Sequence, residues 1–383
     1  MKNKRLWFQL LAWILCVVIG YQLYDLIKKD NARNAERFLQ LQLQANQQEQ
    51  TDYEKQEAQV DIYDRFYSQL EVPHFICWGD SAMAGSRERS LSTALVKVTN
   101  DNLFSSLSKT FSRVIEQDGY SIPSVEATNM GVSNEAMRQI LVRSGVNIMD
   151  LGEGIEIPSG TDPVTLRLMD QEAWDSEDKK AELKFAKQRD VSFGKVTIDG
   201  IKGTLITTDD WFDSTHPRYA FIRDKEGDWQ RVGSGTEVEI ETATKYLGDI
   251  PIFFFENDSG RSVDGLVSDM EKLVKRYANA EADDEDTEND AEIENDESSD
   301  FSSASYNLPF VVVCTTAENS NLDKALSSKF GDRYIRNDSF SNEMTDRMYR
   351  KLAQQVYDNL DQQGCFTELQ AKIIMAIHEA EGI

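Results

Sequence analysis

Residues 73–81 read Pro-His-Phe-Ile-Cys-Trp-Gly-Asp-Ser. Pro73 closes what precedes it, Phe75 to Trp78 are apolar, and Gly79 turns the chain into Asp80 and Ser81. A short apolar run between a proline and a glycine reads as a buried strand, His74 to Trp78, ending in a turn. The pattern returns at Ile250 to Phe255 and at Phe310 to Thr315, with a shorter strand at Tyr334-Ile335. Helical periodicity follows at Val263 to Tyr277, Asn321 to Phe330, Glu343 to Leu360 and Thr367 to Ala380. Strands without polar alternation, interleaved with amphipathic helices, predict an α/β fold with a parallel sheet. Between the first two strands, Leu103 to Gln117 has a helical stripe, and Ala127 to Asn134 reads as a strand and turn before a helix at Glu135 to Val142.

Toward the N-terminus, residues 6–24 read LWFQLLAWILCVVIGYQLY, close to the ~20 apolar residues that cross a bilayer. Lys2, Lys4 and Arg5 precede the run, and Trp7, Tyr21 and Tyr24 sit near its ends as interfacial aromatics do. No A-x-A site follows, so an uncleaved transmembrane helix is expected over a cleaved signal. Residues 1–27 are thus a cytoplasmic tip and membrane anchor, with the rest of the chain extracytoplasmic. Residues 28–72, rich in Gln, Glu, Ala and Leu, read as a helical stalk ended by Pro73.

The texture changes between 146 and 248. Short alternating segments such as Lys195 to Ile198, with Asp199-Gly200 and Glu226-Gly227-Asp228 as hairpin turns, predict a β-rich insertion. It divides the α/β domain into 73–145 and 249–366, with 367–383 as a terminal helix. Residues 279–305 enclose an acidic run. Twelve carboxylates and no Lys or Arg fall in 281–300, so this stretch carries -12 of the net -26 and is expected to be disordered. Such a balance argues against a nucleic-acid partner. The stalk and the acidic loop remain candidate surfaces for protein partners. The four cysteines lack metal-site spacing, Cys77 and Cys314 read as small buried hydrophobes, and no metal or cofactor is called for.

In a parallel sheet, ligands collect at the carboxyl ends of the strands. Ser81 falls there as a candidate nucleophile, and Gly131 and Asn257 end further strands as candidate donors to an oxyanion. At these residues the chain resembles the SGNH (GDSL-type) hydrolases. Trp78-Gly79-Asp80-Ser81 is similar to their first block, Asn129 to Asn134 to the second with Asn134 replacing a glycine, and Phe255-Glu256-Asn257-Asp258 to the third with Phe255 replacing a glycine. The helix Tyr349 to Leu360 is similar to the one after their last block, and the insertion resembles that of a bacterial subgroup, notably at Arg143 to Val146 and Ile201 to Leu205. The resemblance covers about 73–360. It implies a flavodoxin-like three-layer sandwich and a serine esterase or deacetylase acting on acylated envelope or extracellular glycan.

The family's Asp-x-x-His is incomplete. Asp338 stands at the aspartate, but Ser341 or Glu343 stands at the histidine. Three histidines exist. His74 begins the first strand, away from Ser81, and His378 lies in the terminal helix. His216, in Asp213-Ser214-Thr215-His216-Pro217, repeats the Asp-x-x-His spacing out of family order and also reads as part of a hairpin turn. Two functions stay open: an esterase with His216 or Asp338 as base, and a noncatalytic SGNH-like binding or scaffolding module.

Overall fold

A computed structural model of the chain describes residues 2–86, 89–133, 135–174, 180–182, 194–208, 218–256, 261–279 and 306–382. Its helices include α1 (Lys2–Ser68), α2 (Ser81–Ala84), α3 (Leu91–Thr110), α4 (Met137–Arg143), α5 (Val263–Ala278), α6 (Asn321–Phe330), α7 (Asp346–Gln362) and α8 (Thr367–Glu381). The strands β1 (His74–Gly79), β2 (Glu126–Asn129), β3 (Ile250–Glu256), β4 (Val311–Thr315) and β5 (Tyr334–Asn337) form one sheet in the order β5-β4-β3-β1-β2. All four pairings are parallel. This is the flavodoxin-like order, which reverses direction between β1 and β3 and opens a crevice there.

Alternate side chains of the strands face opposite ways. Ile76, Trp78, Phe253, Phe255, Val312 and Cys314 join one apolar core with α4, α5 and α6. Phe75, Cys77, Ile252, Phe254, Val311 and Val313 are buried as well, and α7 packs against β4 and β5. Helix α3 lies beside α7, where Asn102 Nδ2 donates to Gln354 Oε1 at 3.5 Å. Helix starts follow their caps. Ser262, Ser320 and Thr345 accept from the backbone N–H groups of Gly265, Asp323 and Met348, each worth ~1 kcal/mol. The Thr345 cap is why α7 begins at Asp346 rather than at Glu343.

Two expectations are corrected. The helix expected at Leu103 begins at Leu91, because Leu91, Leu95 and Val98 extend its buried stripe, and it stops at Thr110 before a separate turn of helix, Ser112–Asp118. Glu226-Gly227-Asp228 does not close a hairpin. The strand before it, Arg218–Arg223, belongs to a five-stranded sheet, whereas Gln230–Val232 pairs with Ile155–Ile157. Asp199-Gly200 does close one: both have positive φ, 49° and 75°, between Gly194–Ile198 and Ile201–Thr208. The apolar segment 6–24 is helical as part of α1, yet among the described residues no helix is long and apolar enough to cross a bilayer. Beyond Trp13 the charges of Asp25, Lys28, Lys29 and Asp30 interrupt any long apolar window, and the side chains of residues 2–12 lie outside the described set.

The insertion is β-rich as expected, its pairings among the described residues are all antiparallel, and it has its own core of Leu151, Leu166, Val196, Leu205, Phe221 and Val238 among others. Residues 1–69, 109–121 and 376–383 form a separate compact unit. In it Tyr63, near the end of α1, packs its ring 5.1 Å from Phe111 and 5.3 Å from Tyr120, and its hydroxyl donates to Ser121 O at 2.9 Å. The acidic run 281–300 lies outside the described residues.

Candidate active site

Strand β1 ends at Gly79, where the chain approaches β3 closely. A Cβ on Gly79 would stand 2.0 Å from Phe254 O, so only glycine fits. Asp80 then caps α2, its Oδ1 accepting from Ala82 N–H at 2.8 Å, and Ser81 is the first residue of that helix, half-buried. The other Asp80 oxygen accepts from Glu256 N–H at 2.8 Å, tying the turn to the end of β3. Ser81 therefore sits at the carboxyl edge, in the β1/β3 crevice. Burial pushes the Asp80 carboxyl up to about 7, the nearby Glu256 charge adds to this, and the two backbone N–H donors oppose it. The Tyr349 phenol, buried in the first turn of α7, is also pushed up by burial and by the Glu256 charge.

Gly131 packs directly on the turn. A Cβ there would lie 2.3 Å from Ala84 N. Its N–H, expected to face an oxyanion, donates instead to Asn129 Oδ1 at 2.9 Å, while Asn129 Nδ2 donates to Met83 O at 3.1 Å. Asn129 thus braces both the β2 turn and α2. The residues alone gave one cue to this, an Asn two positions before a Gly, the usual side-chain-to-backbone turn. Arg143 supports the same turn from below. Its guanidinium donates to Met130 O at 2.5 Å, pairs with buried Glu135 at 2.6 Å and lies 4.9 Å from the Trp78 ring centroid.

The remaining candidates are placed unevenly. Asp338 is 72% exposed and its carboxylate pairs with Arg336 of its own segment at 3.1 Å. Its neighbour Asn337 is the buried one, donating to Thr315 Oγ1 and Ser339 O. His74 is held at the opposite end of the sheet, between Asp249 Oδ2 (2.7 Å) and Thr128 Oγ1 (3.2 Å). His378 is exposed on α8. Asn257 and His216 lie outside the described residues. All four cysteines are free, and burial pushes the Cys77 thiol up to about 12, which keeps it an inert hydrophobe. Among the described residues no cluster of His, Cys, Asp or Glu could hold a metal.

No family model, no curated protein and no solved structure matches this chain.

Proposed function

We propose that the chain is a membrane-anchored, extracytoplasmic SGNH-like serine esterase or deacetylase that removes acyl groups from envelope or extracellular glycan. One observation carries this reading: Ser81 opens a helix at the carboxyl end of β1, in the crevice of a 2-1-3-4-5 sheet, with Gly79 and Gly131 fitting only as glycines. In this reading Ser81 Oγ adds to the acyl carbonyl and gives up its proton to a base, for which His216 is the candidate. The bond from the acyl carbon to the glycan oxygen (or nitrogen) breaks, that atom takes the proton, and water then releases the acid from the acyl-enzyme. Asn257 supplies an oxyanion donor. The apolar segment 6–24, with Lys2, Lys4 and Arg5 before it, supports the anchor.

The test is labelling by a fluorophosphonate, native chain against Ser81→Ala. Labelling of the native chain alone is expected, and equal absence in both sinks the esterase.

Two observations favour a second reading, a noncatalytic binding module. The Gly131 N–H is engaged by Asn129, and Asp338 is paired with Arg336. This reading predicts no labelling of either protein.

A further inference from the structure

After α2, Ser86 and Arg89 form a tight bridge. Ser86 N–H donates to Arg89 O at 2.8 Å and Arg89 N–H to Ser86 O at 3.0 Å, with Gly85 at φ +57° beneath them. Arg89 lines a cleft of about 510 Å³ between the N-terminal parts of α3 and α7. Lys97, Arg347 and Arg350 line it too, with Ser90, Thr93 and one carboxylate, Asp346. Four cationic side chains in one cleft stand out in a chain of net charge -26.

Their pairing divides them. Arg89 is held by Asp346 at 2.9 Å and Arg350 more loosely by Asp101 at 3.5 Å. Lys97 and Arg347 have no ionic partner among the described residues. Both helices point their N-terminal ends here, each adding partial positive charge. A second cavity of about 630 Å³ shares Ser90 and Thr93 with the cleft and reaches Ala84 and Asn129, beside the Ser81 turn. The cationic cleft thus adjoins this second, mixed cavity, which Val96, Val125 and Glu126 also line and which reaches the carboxyl end of β2 at Asn129.

We propose that this cleft is an oxyanion-binding site that takes a phosphate or sulfate group. Guanidinium forks and two helix ends suit a tetrahedral, multiply accepting anion better than a single carboxylate. The site does not depend on Ser81 being a nucleophile.

The full chain is titrated with inorganic sulfate, inorganic phosphate, dextran sulfate and uncharged dextran. Saturable binding of at least one charged probe and none of neutral dextran is expected. Binding of the inorganic ions points to a free anion as the source, and binding of dextran sulfate alone points to a group carried on a polymer. Lys97→Glu with Arg347→Glu should weaken binding roughly tenfold or more, the scale of losing charged hydrogen bonds. Lys202→Glu with Lys225→Glu makes the same charge change in the insertion and should leave binding intact. Lys97→Gln with Arg347→Gln, checked for an unchanged melting temperature, separates recognition from misfolding. Ser81→Ala should bind as the native chain does. Absence of saturable binding to every charged probe, or equal weakening by the two Glu pairs, overturns the proposal.

Discussion

Asp80 offers a direct test of the electrostatics of the turn. Burial pushes its carboxyl from 3.8 to about 7. Between about pH 4 and pH 7 the unfolded chain carries the ionised form while the folded chain keeps its proton, so the folded state binds more protons and stability falls as pH rises. The slope is ~1.36 kcal/mol per pH unit, which sums to at most about 4 kcal/mol across the window. Partial exposure of the side chain to water trims this toward ~2 kcal/mol. Asp80→Asn is the clean perturbation. The amide matches the protonated acid in shape and keeps one acceptor for Ala82 N–H, but it cannot ionise. Urea unfolding of both proteins at about pH 5 and about pH 8 cancels every other titrating group. The native chain should lose ~1–3 kcal/mol relative to Asp80→Asn over that interval, because only about two pH units of the window lie inside it. If the gap stays constant, or the native chain gains as pH rises, the two N–H donors outweigh burial and the argument fails.

Other changes test the packing and the chemistry. Gly131→Ala drives a Cβ to 2.3 Å from Ala84 N and should lower stability by ~1–3 kcal/mol or more. Gly160→Ala, in open space, should melt as the native chain does. Arg143→Met leaves Glu135 charged and buried and should cost ~3–5 kcal/mol in urea unfolding, most of it recovered in Arg143→Met with Glu135→Leu. His216→Ala should abolish fluorophosphonate labelling if His216 is the base, while His74→Ala should leave the labelling rate unchanged because its ring is spent on Asp249 and Thr128. Labelling of His216→Ala at the native rate removes His216 from the mechanism.

The strands β1, β3 and β4 were legible because burial on both faces leaves them as unbroken apolar runs. The polar edge strand β2 (Glu126–Asn129) shows little such signal and was found from its turn. Ser81 was legible by position, since the strand and its glycine fix where the turn must fall. The engagement of the Gly131 N–H was not, because it depends on which way the Asn129 amide points. Nor was the Arg336 partner of Asp338, since residues two apart on a strand share a face but Arg336 could equally have been spent elsewhere, as on Glu318. The reversed assignment of Gln230–Val232 has a similar origin. Turn chemistry at Glu226 to Asp228 reports a change of direction but not which sheet the next strand joins.

The insertion's own core reaches back to both of its ends. Val142 of α4 and Ala243, just before β3, belong to the same apolar cluster, and Gly145, at φ +72°, passes so close that a Cβ would lie 2.7 Å from Ala243 Cβ. The central strands β1 and β3 pair Phe75 with Ile250 across a long stretch of chain. If the insertion folds early, it draws positions 145 and 243 together and shortens the loop that must close before β1 and β3 meet. The entropy saved is ~0.7 kcal/mol, about threefold in closure rate. That gain is small for stability but falls on the slowest contact in the sheet, the one most separated in sequence. The insertion then acts as a clasp in time: deleting it in favour of a flexible linker of equal length should slow formation of the central strand pair more than it lowers final stability.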